Sequence, residues 1–189
     1  MRHRNKPWHP GTPGTFDTYN RAVSSQEHKS AAPGRVRVFV LTVSDTRTDE
    51  TDTAGRAIIE RLLEAGHAVA GKAIEPDEPG RVAELVRRQA AIGDVDAIIT
   101  TGGTGLTSRD STFEAIDALL HKRLPGFGEL FRMLSYHDIG TAAMMSRACA
   151  GTIGRVIVIS LPGSEAAVRL AMTKLVIPEL GHMIQQANK

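Results

Sequence analysis

Four short apolar runs alternate along the chain with longer stretches whose apolar positions recur every three or four residues. The runs are residues 36–43, 68–74, 95–99 and 154–160. The first is apolar along most of its length, as expected of a strand covered on both faces; the third and fourth predict buried strands, and 68–74 predicts a further strand. Ala57, Ile58, Leu62 and Leu63 predict a helix that stops at Gly66. Val82, Leu85 and Val86 predict a second. Phe113, Ile116, Leu119 and Leu120 predict a third, with Asp110, Ser111 and Thr112 available as caps. Beyond a break at residues 124–128, helical pieces are expected over 129–136 and 141–150. A last helix carries Ala167, Leu170, Ala171 and Leu175. This alternation predicts an α/β fold, a three-layer sandwich with a mostly parallel central sheet.

The third run leads directly into Thr100-Thr-Gly-Gly-Thr-Gly105. Such a turn lets backbone N–H groups converge on an anion with no Cβ atoms in the way. The same glycines also read as a tight strand-to-helix turn. The loop is not a P-loop, since Gly105 is followed by leucine, and it contains no G-x-G-x-x-G. Thr101 and Thr104 place hydroxyls beside its backbone donors. The other strands end in Ser44-Asp45, Pro76-Asp77 and Pro162-Gly163-Ser164. Ligands of open parallel sheets bind at the carboxyl ends of the strands. Four polar strand ends therefore predict one site, provided the strands are neighbours.

Carboxylates at such a site repel a phosphate unless a cation lies between them. Mg²⁺ suits Asp77 and Asp110, because it takes one or two carboxylates and bridges to substrate phosphates. Read singly, Asp110 is a helix N-cap and Asp77 a turn residue after proline. Asp45 and Asp52 are either further contributors or loop polarity. There is no G-x-S-x-G and no Cys–His pairing, and His121, His137 and His182 have no metal-ligand spacing. Phosphoryl or nucleotidyl transfer is compatible with that lack, because it rests on positioning and charge stabilisation.

Length and composition narrow the partners. A chain of 189 residues is long enough for one domain of about 150 residues and a tail. Aromatics are 4%, too few for stacking-based single-strand recognition, and a net charge of +2 does not call for nucleic acid. Arg2, Arg4, Lys6, Arg21 and Lys29 outnumber Asp17 and Glu27, so the basic character lies in residues 1–34. That segment, rich in proline and glycine, is expected to be an extension preceding a domain over 35–189. Its Trp8, Phe16 and Tyr19 are either anchors onto a partner subunit or stray aromatics. The single Cys149 rules out a disulfide within the chain and favours a reducing cytoplasm. No run approaches the roughly 20 apolar residues of a membrane span, and the polar N-terminal segment, lacking an apolar h-region, is not expected to act as a secretory signal.

Leu41-Thr-Val-Ser-Asp-Thr-Arg47, Asp52-Thr-Ala-Gly55, Thr100-Thr-Gly-Gly-Thr-Gly-Leu-Thr-Ser-Arg-Asp110, Pro125-Gly-Phe-Gly-Glu129, Ser146-Arg147 and Leu161-Pro-Gly-Ser164 occur in this order. Together they resemble the MoaB/MogA family of molybdenum cofactor biosynthesis, on its MoaB branch, over about residues 36–184. The resemblance implies a molybdopterin-binding-domain-like fold and molybdopterin adenylyltransferase activity. In that reaction AMP passes from ATP with Mg²⁺ to the terminal phosphate of molybdopterin, and pyrophosphate is released. Asp77 and Asp110 match two acidic residues required in active members. Some MoaB-branch members have lost them. Ser44, Asp45, Thr101, Gly102, Gly103, Thr104, Gly105, Ser146, Arg147, Leu161, Pro162, Gly163 and Ser164 match pocket-forming segments. The resemblance also implies a homo-oligomer, trimer or hexamer, and hand-over of the product to a molybdenum-insertion step. A molybdopterin carrier or scaffold without catalysis would use the same pocket.

Overall fold

A computed structural model describes residues 33–189 except Arg109. The expectations for the N-terminal extension fall almost entirely outside the described residues. Among the described residues six strands and six α-helices follow in order: β1 (Arg37–Val43), α1 (Thr53–Glu64), β2 (Ala68–Glu75), α2 (Pro79–Ile92), β3 (Ala97–Thr101), α3 (Thr112–Leu119), β4 (Lys122–Arg123), α4 (Pro125–Ile139), β5 (Cys149–Ile153), β6 (Val156–Leu161), α5 (Glu165–Ala171) and α6 (Ile177–Ala187). A 3₁₀ turn (Gly140–Met145) follows α4, and a π-helical turn (Met172–Val176) joins α5 to α6.

The sheet order is β2-β1-β3-β6-β5-β4. β2, β1, β3 and β6 are parallel neighbours, while β5 pairs antiparallel with β6 and β4 antiparallel with β5. Side chains alternate across this sheet. Val38, Val40, Ala97, Ile99, Ile157 and Ile159 pack with α1, α4, α5 and α6. Phe39, Leu41, Ile98, Val156 and Val158 pack with α2 and α3. The result is the expected three-layer sandwich. Fully buried side chains such as Ile58, Ile99 and Leu180 each contribute about 1.5–3 kcal/mol.

Local chemistry sets the ends of the helices. Asp52 caps α1, accepting the Gly55 N–H at 2.8 Å. Pro79 and Pro125 sit in the first turns of α2 and α4, where a missing N–H costs nothing. Gly93 ends α2 in the left-handed conformation.

One expected element is overturned. Residues 141–150 do not form one helix: 141–145 lie in the 3₁₀ turn, 146–148 belong to no element, and β5 begins at Cys149. The signal for this was Gly154, whose φ of +58° opens a two-residue turn between Ile153 and Val156. β4, only two residues long, was also unforeseen. The break at 124–128 instead begins a helix, because proline is accepted there. Among the described residues no helix is long and apolar enough to cross a membrane.

Candidate active site

The chain leaves β1 to form β2 on one side and returns to form β3 on the other. Connections thus diverge between β1 and β3, and that divergence opens a crevice at their carboxyl ends. Two cavities lie there. One, of about 210 Å³, is lined by Ser44, Arg47, Asp52, Thr101, Gly102, Gly103 and Gly163, among others. The other, of about 490 Å³, runs from Ser44 and Arg47 along the end of β2 to Pro76. Ser44 and Arg47 line both.

The glycine loop fits its place through close contacts. Gly102 has φ +101°, and a Cβ there would lie 2.1 Å from the Val43 carbonyl oxygen. The Gly102 N–H donates to the Leu161 carbonyl at 3.1 Å, and the Thr101 hydroxyl donates to the Pro162 carbonyl at 2.8 Å. These bonds join the ends of β3 and β6. Gly103 has φ +62°, and a Cβ there would lie 2.6 Å from Thr112 and 2.9 Å from Asp77 Oδ1. A Cβ on Gly105 would lie 2.5 Å from Asp110 Oδ2. Asp77 and Asp110 therefore flank the same loop, one at Gly103 and the other at Gly105.

Each carboxylate is held. The buried Thr112 hydroxyl donates to Asp77 Oδ1 at 2.7 Å, and the Asp77 N–H donates to Asp45 Oδ1 at 3.1 Å. Asp110 Oδ2 accepts from the Thr107 hydroxyl at 2.6 Å and the Thr107 N–H at 3.1 Å. The Thr107 hydroxyl is the main reason the Asp110 carboxyl stays below its usual range; the Gly105 backbone and the charge of Arg147 add to it. Asp110 is thus ionised at neutral pH. It does not cap α3, whose N-cap position is Ser111.

Arg147 is turned toward the loop. Its Nε donates to the Thr104 carbonyl at 2.8 Å, Nη2 to the carbonyls of Gly105 and Asp110, and Nη1 pairs with Glu114. Its guanidinium also lies 4.9 Å from the Phe113 ring centroid. Arg147 holds the loop from outside. Ser146 is half-buried and ends the 3₁₀ turn, Leu161 is in the core, and Ser164 caps α5. These three do not line either cavity, and neither do Asp45, Asp77, Thr104, Gly105, Asp110, Arg147 and Pro162; of the expected residues Ser44, Thr101, Gly102, Gly103 and Gly163 do.

Asp52 proves to be structural. It is 1% exposed and accepts from Thr42 Oγ1 at 2.8 Å and from Gly55, with Lys72 Nζ at 2.9 Å. Burial works against its charge, but Lys72, Gly55 and Thr42 outweigh it and hold the carboxyl below its usual range. Lys72 and Arg47 were not singled out from sequence. Lys72 lies inside a strand, and only the fold brings it against Asp52.

Among the described residues no group of three or more His, Cys, Asp or Glu is placed to hold a metal. The donors at the loop are the two flanking carboxylates, each with about four lone-pair sites and only some of them engaged. Two carboxylates suit a hard cation that arrives with a phosphate ligand rather than one held in a protein cage.

Residues 39–182 match the family described as "Probable molybdopterin binding domain". The chain belongs to this family. As a member of the molybdopterin-binding family it is 54% identical over 168 residues to Molybdenum cofactor biosynthesis protein B of Bacillus anthracis, covering 88% of this chain and 99% of that one. A crystal structure of Molybdenum cofactor biosynthesis protein B superposes with a TM-score of 0.81 at 52% identity, covering 83% of this chain and 98% of that one. The tungsten cofactor synthesizing protein MoaB of Pyrococcus furiosus gives a TM-score of 0.74 at 36% identity, covering 84% and 100%.

Proposed function

We propose that the protein acts in molybdenum cofactor biosynthesis by transferring AMP from ATP to the terminal phosphate of molybdopterin. The observation that carries this is the placement of two held carboxylates, Asp77 and Asp110, on either side of one glycine loop at the sheet's divergence point. A pterin-binding site alone has no need of two anions facing a phosphate. A site for Mg²⁺ with ATP does.

The chemistry asks little of the protein. The acceptor phosphate is mostly dianionic at neutral pH, its second pKa being about 6, so no general base is required. One of its oxygens attacks the α-phosphorus of ATP. The bond to the β-phosphate oxygen breaks, and pyrophosphate leaves. Mg²⁺, when bound by Asp77 and Asp110, supplies charge neutralisation on the nucleotide phosphates. The chain's own part is to orient. The backbone at Gly102 and Gly103 offers close approach to a phosphate, and the Thr107, Thr112 and Asp45 contacts keep the carboxylates aimed.

Self-association belongs to the same reading. Leu130, Met133, Tyr136, Ile139, Met144 and Met145 are exposed in succession along α4 and the 3₁₀ turn, Met144 by 79%. An apolar surface of this kind supports contact with further copies of the chain.

The test is anaerobic incubation with molybdopterin, ATP and Mg²⁺, followed by chromatography for molybdopterin adenylate. Product formation is expected. Folded protein that binds the pterin and yields none would show a carrier instead.

A further inference from the structure

The ligands of the proposed reaction carry several negative charges, and the residues flanking the loop are acidic. Some cation of the chain must meet them. Among the described residues, Arg47 and Lys72 are the cations lining the two cavities. Lys72 is already engaged, with Asp52 at 2.9 Å and Asp49 at 3.0 Å. Arg147 is turned onto backbone carbonyls and Glu114. Arg47 differs from both. Among the described residues only Nη1 of its five guanidinium donors is engaged, with the Thr51 carbonyl at 2.9 Å. Its backbone N–H is fixed by Ser44 Oγ at 3.2 Å, which holds the residue at the wall common to both cavities.

From this position we infer that Arg47 receives a phosphate of the bound ligand at the junction of the two cavities. A planar guanidinium with unused donors matches phosphate oxygens in a fork. The junction is also where an acceptor phosphate and a nucleotide phosphate must approach if each cavity takes one substrate. Two anions repel, and one cation between them offsets both. The assignment rests on the adenylyl-transfer reading for the identity of the ligands, and its test separates the two.

The wild type and the variants R47M, R47K and R56M are titrated calorimetrically with three probes: ATP with Mg²⁺, molybdopterin, and inorganic pyrophosphate. Each titration is run at low and high NaCl, and adenylate formation is followed in parallel. R47M is expected to weaken binding of ATP or molybdopterin about 10- to 100-fold. It should also flatten the salt dependence, with an unchanged melting temperature. R47K should recover part of the loss. Arg56 donates to the carbonyls of Asp49 (3.0 Å) and Glu50 (2.6 Å), so it braces the same loop, yet it lines neither cavity. R56M should therefore keep wild-type affinity. Wild-type affinity and salt dependence in R47M would overturn the inference. So would an equal loss in R56M, because loop order would then explain it. Wild-type protein that binds molybdopterin without forming adenylate overturns the transfer reading, while the R47M affinities still decide Arg47. Protein that binds none of the three probes overturns both.

Discussion

Asp110 spends one carboxylate oxygen on the Thr107 backbone and hydroxyl rather than on the first turn of α3. That arrangement holds an ionised group at the loop without making the helix depend on it. Asp110→Ala is accordingly expected to lower adenylate formation by a factor of about 100 or more, with circular dichroism unchanged; normal turnover would remove Asp110 from the site. Asp52 shows the opposite case. Its folded-state carboxyl lies below the ordinary 3.8, so its contribution to stability is present above that value and lost as pH falls below it. For Lys72 burial opposes the charge, yet Asp52 and Asp49 outweigh it and raise the ammonium above the ordinary 10.5, so its contribution is lost only as pH rises past that value. Asp52→Asn should cost about 2–4 kcal/mol in urea unfolding at pH 7. The gap from wild type should narrow at pH 3. In sequence Asp52 is an acid between two threonines, and Asp110 is an acid followed by Ser111 and Thr112. The position of Lys72, on a strand 20 residues away from Asp52 in the chain, is what marks Asp52 as structural.

At the scale of elements, the glycine loop combines two requirements that substitution can separate. Gly102 meets backbone: its φ is +101°, and an added Cβ would collide with the Val43 carbonyl. Gly102→Ala is expected to lower the melting temperature by roughly 5–10 °C in calorimetry. Gly105 has no such φ, and an added Cβ would meet the Asp110 carboxylate instead. Gly105→Ala should therefore reduce adenylate formation at least about tenfold while the melting temperature stays close to wild type. An equal loss of stability in both variants would contradict this division. The three central parallel strands were legible because burial on both faces leaves nearly continuous apolar runs. β5 was not, because Cys149-Ala-Gly-Thr-Ile153 is short and carries small residues. Its Gly151 must be small, since a Cβ there would lie 2.2 Å from the Lys122 carbonyl of β4.

At the scale of the whole molecule, the exposed apolar surface of α4 and the 3₁₀ turn bears on assembly. Sedimentation velocity is expected to give a trimeric or hexameric mass. Met133→Glu combined with Tyr136→Glu should shift that mass toward the monomer, because charges buried in such a contact would be desolvated without partners. A monomeric wild type would contradict the assembly. The site itself is also a property of the whole sheet. Its walls come from residues 44–54, 72–76, 101–103 and 163, which meet only because the order is β2-β1-β3-β6.

By itself, the amino-acid sequence determined the α/β class, the central strands, the glycine loop and the residue types at four strand ends. These follow from local rules: apolar period, glycine conformation and helix capping act over a few neighbouring residues. The tertiary structure alone decided which strands are neighbours and where the two cavities lie. It alone also decided that, among the described residues, Lys72 is engaged by two carboxylates while Arg47 engages one guanidinium nitrogen. Those facts depend on pairings between residues far apart in the chain, and no local pattern encodes which buried strand lies beside which. The glycine loop was visible as an anion cradle or a turn, and the fold put the two held carboxylates on either side of it.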